Sequence, residues 1–101
     1  MEKIMNIHPG EILKKDFLEP MNITAYKLSK EIGVQQTRVS QIIKGKNAIT
    51  ADMATRLSKF FGTSAEVWMN LQSKYEIRKT RIEKHDVLEN ISPITSITDS
   101  H

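Results

Sequence analysis

Residues 33–46 read GVQQTRVSQIIKGK, and this stretch decides how the rest of the chain is interpreted. The eight residues before it, 25–32, have the pattern of a short helix. Gly33 ends that helix, because glycine adopts a positive φ without steric cost. A second short helix is predicted to follow and to stop at Gly45, with its apolar residues on one side at helical spacing. Two short helices joined by a tight turn that contains glycine predict a helix-turn-helix.

The other side of the second helix carries amides, hydroxyls and basic groups. From Gln35 to Asn47 there are three basic residues and no acidic one, whereas an ordinary solvated helix face usually mixes the two. Glutamine can bond adenine, arginine can bond guanine, and serine or threonine can bond either base in the major groove. Residues near the start of a recognition helix usually reach the bases. We therefore expect five residues to read DNA sequence: Gln36, Thr37, Arg38, Ser40 and Gln41.

The segment that leaves this second helix is basic and polar. Lys44, Lys46 and Asn47 surround Gly45, and phosphate contacts of this kind position a DNA reader without specifying sequence. Each lysine alone is more often a solvated surface residue. As a group beside the helix, these three residues are predicted to bind phosphate.

Composition predicts one small domain of ordinary globular type. The 101 residues are 39% hydrophobic and 27% charged, and they include no cysteine that could form a disulfide or a thiolate metal site. Apolar runs are too short for a membrane span and no signal peptide opens the chain, so we predict a cytoplasmic protein. Residues 1–82 carry a net charge of +6 and residues 83–101 a net charge of −3. This difference divides a basic DNA-binding domain from an acidic tail.

Cap residues, a glycine and a proline predict three further helices around these two. The first opens at His8, which we expect to cap it, and ends before Pro20. The fourth runs from a cap at Thr50 to Gly62. The fifth opens with a capping box over residues 63–66 and continues through Val67, Trp68, Leu71, Tyr75 and Ile82 on its inner side. Trp68 is expected to anchor the core, a ligand platform being the weaker alternative, and the basic run at residues 78–81 is expected to be a solvated face.

The tail after residue 83 has no clear helical pattern. Residues 86–97 are rich in β-branched side chains and alternate apolar and polar from Ile94 to Ile97, so they predict either a short strand or a mobile tail. A single strand needs a partner edge, most simply in the twin chain of a dimer, and Pro93 would interrupt it.

Nothing in the sequence predicts catalysis or a cofactor. The four glycines are scattered, with no phosphate-cradling loop among them. His8, His85 and His101 lie far apart, with no metal-ligand spacing. We interpret the chain as a binding protein, not an enzyme, with no metal and no cofactor.

The sequence is similar to the phage-repressor-like (XRE) helix-turn-helix family, and within it to HigA-type (VapI-type) antitoxins. The resemblance covers roughly residues 7 to 80. The helix-turn-helix is common to many repressors. Three further segments point to the subfamily: HPGEIL at 8–13, GKNAIT at 45–50 and WMNLQSKYE at 68–76.

This resemblance implies a fold, two partners and two more contact residues. The fold would be an all-α, five-helix bundle of the lambda-repressor-like type. The protein would be a homodimer that binds a palindromic operator in its own promoter and neutralises a HigB-type toxin that cleaves messenger RNA. Thr24 and Lys27, at the start of the second helix, would contact DNA phosphates, although a cap and a solvated lysine explain them equally well. A transcription regulator without a toxin, or an interaction module that no longer binds DNA, are the alternatives.

Overall fold

The computed structural model describes residues 6–95, and every regular element in that range is a helix. Helix α1 (Pro9–Ile12) continues without a break into a π-helical segment (Leu13–Leu18). The other helices are α2 (Ala25–Ile32), α3 (Gln36–Ile43), α4 (Ala51–Phe61), α5 (Ala65–Glu83) and α6 (His85–Glu89). The all-α prediction is confirmed, and the structure adds a short sixth helix to the expected five.

The π-helical segment is a feature that the sequence did not predict. The amide of Glu19 donates to the carbonyl of Lys14, five residues earlier, at 2.9 Å. In a π-helix each amide donates to the carbonyl five residues earlier, so the turn is wider than in an α-helix. Leu13 and Leu18, which are five residues apart, are both buried as a result. The helix ends before Pro20, as expected.

Local capping explains where α2 and α4 begin and end. The hydroxyl oxygens of Thr24 and Thr50 accept hydrogen bonds from backbone amides three residues later, at 3.0 and 3.2 Å. Each helix ends at a glycine in the left-handed region, Gly33 with φ 71° and Gly62 with φ 75°. These caps were predicted from sequence and are confirmed.

The start of α5 differs from the predicted capping box. Ser64 is the cap, and its hydroxyl accepts from the amide of Val67 at 3.2 Å. A capping box needs its acid three residues after the cap, whereas Glu66 is only two residues after Ser64. The hydroxyl of Thr63 instead accepts from the indole nitrogen of Trp68 at 2.8 Å. The prediction was wrong by one residue, because two adjacent hydroxyls offered two possible caps.

Trp68 lies at the centre of the core, as predicted. It is fully buried, and the ring of Phe17 lies 4.9 Å from its ring. Phe61 in turn lies 5.0 Å from Phe17, so the three rings join the π-helical segment, α4 and α5. Aliphatic side chains complete the buried cluster: Leu13, Leu18, Leu28, Ile32, Val39, Ile42, Ile49, Met53, Ala54 and Leu57.

The far end of α5 leaves the body of the domain. Trp68 and Gln72 are its buried residues, and every residue from Glu76 to Glu83 is exposed. Two residues expected to face inward do not: Val67 is 46% exposed and Ile82 is 50% exposed. Val67 lies beside the buried stripe and Ile82 lies beyond it.

The tail contains a helix where a strand was one of the two predicted alternatives. Helix α6 buries none of its residues, and it packs on α5. Between residues 6 and 95 there is no strand. Ile94 and Thr95 have helical backbone, and the rest of the predicted alternating segment, residues 96 and 97, lies outside the described residues.

Candidate nucleic-acid interface

The turn between α2 and α3 is built as the sequence indicated. Gly33 takes the left-handed conformation, and the amide of Val34 donates to the carbonyl of Ser29 at 3.0 Å. Val34 is half-buried and packs on the core cluster, so the β-branched side chain helps to anchor the turn. Val39 and Ile42 then hold the inner side of α3 against the same core. The outer side of α3 is thereby fixed relative to the rest of the domain.

The start of α3 presents the free polar groups. Gln36 and Thr37 are exposed, and their side chains make no hydrogen bond or ion pair with any residue from 6 to 95. Ser40 and Gln41 are half-buried one turn later. Four of the five predicted base-reading side chains are therefore unengaged within the described part of the chain.

Arg38, the fifth predicted reader, is engaged inside the protein. Its Nη1 lies 3.2 Å from a carboxylate oxygen of Asp52, and its Nη2 donates to the hydroxyl of Thr50 at 3.1 Å. The side chain is 37% exposed, so solvent still reaches it. Arg38 would have to exchange these partners for a base.

Asp52 also binds a second arginine, which ties α4 to the turn. Nε of Arg56 lies 3.1 Å from both carboxylate oxygens of Asp52. Nη1 of Arg56 donates to the carbonyls of Ile32 at 2.7 Å and Gly33 at 3.3 Å, which are otherwise left open at the end of α2. The hydrogen bond from Arg56, reinforced by Arg38, lowers the pKa of the Asp52 carboxyl. The cluster stays charged and keeps α2, α3 and α4 in one arrangement.

The predicted phosphate-binding residues fall into two groups. Lys44, Lys46 and Asn47 are all exposed in the segment between α3 and α4, which we call the exit loop (residues 44–50). Thr24 and Lys27 lie at the start of α2, where Thr24 caps the helix and Lys27 makes a loose ion pair with Glu31 at 3.7 Å. The exit-loop lysines have no ion-pair partner among residues 6–95. Lys44 and Lys46 are therefore the cations of the two groups that remain without an ion pair within residues 6–95.

The exit loop is supported from behind by residues outside the helix-turn-helix. The side-chain oxygen of Gln72 accepts from the amide of Ile49 at 2.8 Å, and both residues are buried. The ring of His8 lies beside Gly45, where an added Cβ would be 3.6 Å from its Cγ. His8 also caps α1, as predicted, by accepting from the amide of Gly10 at 2.9 Å.

Sequence reasoning missed these supporting residues and the partners of Arg38. Asp52 and Arg56 are four residues apart in a helix, and that spacing could have predicted their ion pair. The contacts of Asp52 with Arg38 and of Gln72 with Ile49 join distant parts of the chain, so no local pattern reports them.

Residues 6–95 contain neither a membrane-spanning helix nor a metal-binding cluster. No helix there has both the length and the apolarity needed to cross a bilayer. No group of three or more acidic or histidine side chains in that range is arranged to hold a metal ion.

The chain matches known proteins over most of its length. A helix-turn-helix family model matches residues 14–68. Virulence-associated protein I of Dichelobacter nodosus is 38% identical over 81 residues, covering 80% of this chain and 75% of the relative. Antitoxin HigA-1 of Vibrio cholerae is 35% identical over 85 residues, covering 84% of this chain and 80% of the relative.

A solved structure agrees with these relatives. Antitoxin HigA of Pseudomonas aeruginosa, determined with the higBA promoter, superposes with a TM-score of 0.85 at 38% identity. The match covers 88% of this chain and 98% of the other. The family model, the relatives and the shared fold all point to the family that the sequence resembles. This chain belongs to the HigA-type (VapI-type) branch of the XRE helix-turn-helix family.

Proposed function

We propose that this chain is the antitoxin of a type II toxin–antitoxin module, and that it represses its own operon by binding operator DNA. The observation that carries the proposal is the outer side of α3. It presents the free side chains of Gln36 and Thr37, and no acidic residue lies between Gln35 and Asn47. A DNA-bound HigA with the same fold supports this assignment.

The side chains would divide the work between bases and backbone. Gln36, Thr37, Ser40 and Gln41 would read base edges in the major groove, where amides and hydroxyls find partners on each base pair. Arg38 would join them only after leaving Asp52 and Thr50. The exit loop and the start of α2 would contact phosphates and fix the register, through Lys44, Lys46, Asn47, Thr24 and Lys27.

Two copies of the chain would bind one operator. A single eight-residue helix contacts only a few base pairs, so one protomer reads too little sequence to find one site in a genome. A dimer doubles the contacts on a palindrome whose half-sites lie about 34 Å apart, one turn of DNA. Such a complex would block RNA polymerase at the promoter.

The toxin is the second proposed partner. By likeness to HigA-1, the chain would bind a HigB-type nuclease that cleaves messenger RNA and would keep it inactive. We propose this role for the whole chain and assign it to no particular surface.

A DNA titration tests the repressor role. Purified protein is added to the DNA upstream of its own operon and to a scrambled duplex, at several salt concentrations. We expect a two-protomer complex with a preference of at least ~10³ for the operon DNA. Gln36→Ala and Gln41→Ala should each lose about 1–3 kcal/mol per half-site contact, while Asn70→Ala, an exposed amide on α5, should lose none. Equal binding to both duplexes would reject the repressor role at that site.

Co-purification tests the antitoxin role. The chain is co-expressed with any small basic protein encoded beside it, and the tagged chain is isolated. A stable complex that stops messenger RNA cleavage is expected. Operator binding without any such complex would favour the alternative, a transcription regulator without a toxin.

A further inference from the structure

The exit loop has no regular structure of its own, yet it carries Lys46 and Asn47. Backbone amides of both residues donate to the carbonyl of Gln41, at 2.9 and 3.3 Å, which begins the turn away from α3. The other end of the loop is fixed at Ile49, whose side chain is 1% exposed. The direction in which the two polar side chains point therefore depends on what holds Ile49.

Gln72 holds that end of the loop. Its side-chain oxygen accepts from the amide of Ile49 at 2.8 Å, and its side-chain nitrogen donates to a carboxylate oxygen of Glu76 at 3.2 Å. Gln72 itself is 3% exposed. An amide at this position supplies one acceptor and one donor, so glutamine satisfies both neighbours, whereas a carboxylate or an apolar side chain cannot.

His8 supports the other side of the loop. Its ring packs edge-on against the ring of Tyr75, with centroids 4.8 Å apart and an interplanar angle of 69°. Tyr75 is in turn fixed through its backbone carbonyl, which accepts from the side chain of Asn6 at 2.9 Å. Gly45, with φ 77°, passes beside the His8 ring, where an added Cβ would lie in van der Waals contact with the ring.

We infer that Gln72 and His8 are positioning residues for DNA binding, which act by fixing the exit loop so that Lys46 and Asn47 meet the DNA backbone. The inference rests on the proposed operator binding. Neither side chain needs to touch DNA, since Gln72 is buried and His8 faces Tyr75 and Gly45.

A double-mutant cycle tests the inference with the full-length chain and its operator. The variants are Gln72→Met, Lys46→Gln and the double substitution, with Asn70→Met as a matched exposed control on the same helix. We expect Gln72→Met to weaken operator binding about tenfold. In that background Lys46→Gln should add less than twofold, although it weakens the wild type severalfold, because its phosphate contact is already lost.

The salt dependence distinguishes positioning from a loss of folded protein. Each phosphate contact contributes about one unit to the slope of log affinity against log salt concentration. Gln72→Met should lower that slope by about one unit, whereas a smaller folded fraction would weaken binding without changing it. Additive losses, or an unchanged slope, would overturn the inference while leaving the operator binding of the wild type in place. Absence of operator preference in the wild type would reject the proposed function, and the positioning role with it.

His8→Asn provides an independent test in case Gln72→Met does not fold. Asparagine is a good helix cap, so α1 keeps its start, but the ring beside Gly45 and Tyr75 is removed. The inference expects a lower salt slope and the same loss of additivity with Lys46→Gln. A wild-type salt slope, together with wild-type additivity with Lys46→Gln, would contradict the inference.

Discussion

At the scale of single residues, the backbone of α1 packs directly against the end of α3 at Gly10. A Cβ added there would overlap the carbonyl oxygen of Ile42, near the end of α3. Gly10→Ala must therefore push α1 away from α3. Overpacking of this kind typically costs about 1–3 kcal/mol, and we expect a loss of at least that size in denaturant unfolding.

Lys14→Ala serves as the control for this substitution. Lys14 is exposed in the same helical stretch, and surface substitutions usually change stability by less than about 0.5 kcal/mol. Equal stability of the two variants would mean that α1 can shift without cost.

His8 is expected to make the stability of the folded domain depend on pH. Burial, assisted by the charge of Lys79, lowers the pKa of His8 below its ordinary value near 6.5, against opposing effects of the Asn47 backbone and Glu76. The unfolded chain then binds the proton more readily than the folded one. The contribution of neutral His8 to the free energy of unfolding is complete above pH ~6.5. It is lost as pH falls towards the pKa of His8 in the folded state. Unfolding free energies measured from pH 7.5 to pH 5 should fall for the wild type.

His8→Asn is the control for this pH effect. The variant should lose the part of the pH dependence that is due to His8, because asparagine does not titrate in this range. Identical pH profiles for the two proteins would assign the effect to other groups.

At the scale of elements, the sequence predicted α2 and α4 well because their ends are determined by local caps. Thr24, Thr50, Gly33 and Gly62 are cap residues whose chemistry acts within one turn. The π-helical segment, the exact cap of α5 and helix α6 were not predicted. The first depends on packing Leu13 and Leu18 into one core, and the second on whether Thr63 caps α5 or accepts from Trp68, which a pattern of cap residues alone does not decide.

At the candidate interface, the sequence likewise predicted the exposed polar groups of α3 but not the long-range contacts around them. The free groups at Gln36 and Thr37 follow from helix periodicity alone. The engagement of Arg38 and the support from Gln72 depend on residues 14 and 23 positions away along the chain. A single sequence gives no account of contacts at that separation.

Arg56 provides the element-scale prediction. It joins α4 to the carbonyls at the end of α2, so Arg56→Met should loosen the helix-turn-helix from the rest of the domain. Hydrogen bonds from charged groups contribute about 1.5–3 kcal/mol when buried. Solvent reaches this side chain, so we expect a loss of about 1 kcal/mol, measured by denaturant unfolding.

Lys59→Met on the same helix is the matched control. Lys59 is exposed, and it makes no ion pair with residues 6–95. A loss at Arg56 no larger than that at Lys59 would contradict a bridging role.

At the scale of the whole molecule, charge is distributed unevenly between body and tail. A chain ending at Glu83 would carry a net charge of +5 in place of +3. Because α6 buries none of its residues, the shortened chain should still fold. Its affinity for a scrambled duplex should rise a few fold at low salt, and the difference should vanish at high salt.

The matched control keeps the tail and changes only its charge. Asp86→Asn combined with Glu89→Gln also gives a net charge of +5 in the full-length chain. The two proteins should bind the scrambled duplex equally at each salt concentration. A difference between them would mean that the tail acts by contact and not by charge.

The central tryptophan gives this protein an optical reporter of its own. Trp68 is the only tryptophan in the sequence, and it is fully enclosed, with its indole nitrogen bonded to Thr63. Its fluorescence should be blue-shifted in the native state and move to longer wavelength when the core opens. Since Trp68 is fully buried among residues outside α3, its emission should follow unfolding directly and respond little to a ligand on the outer side of α3.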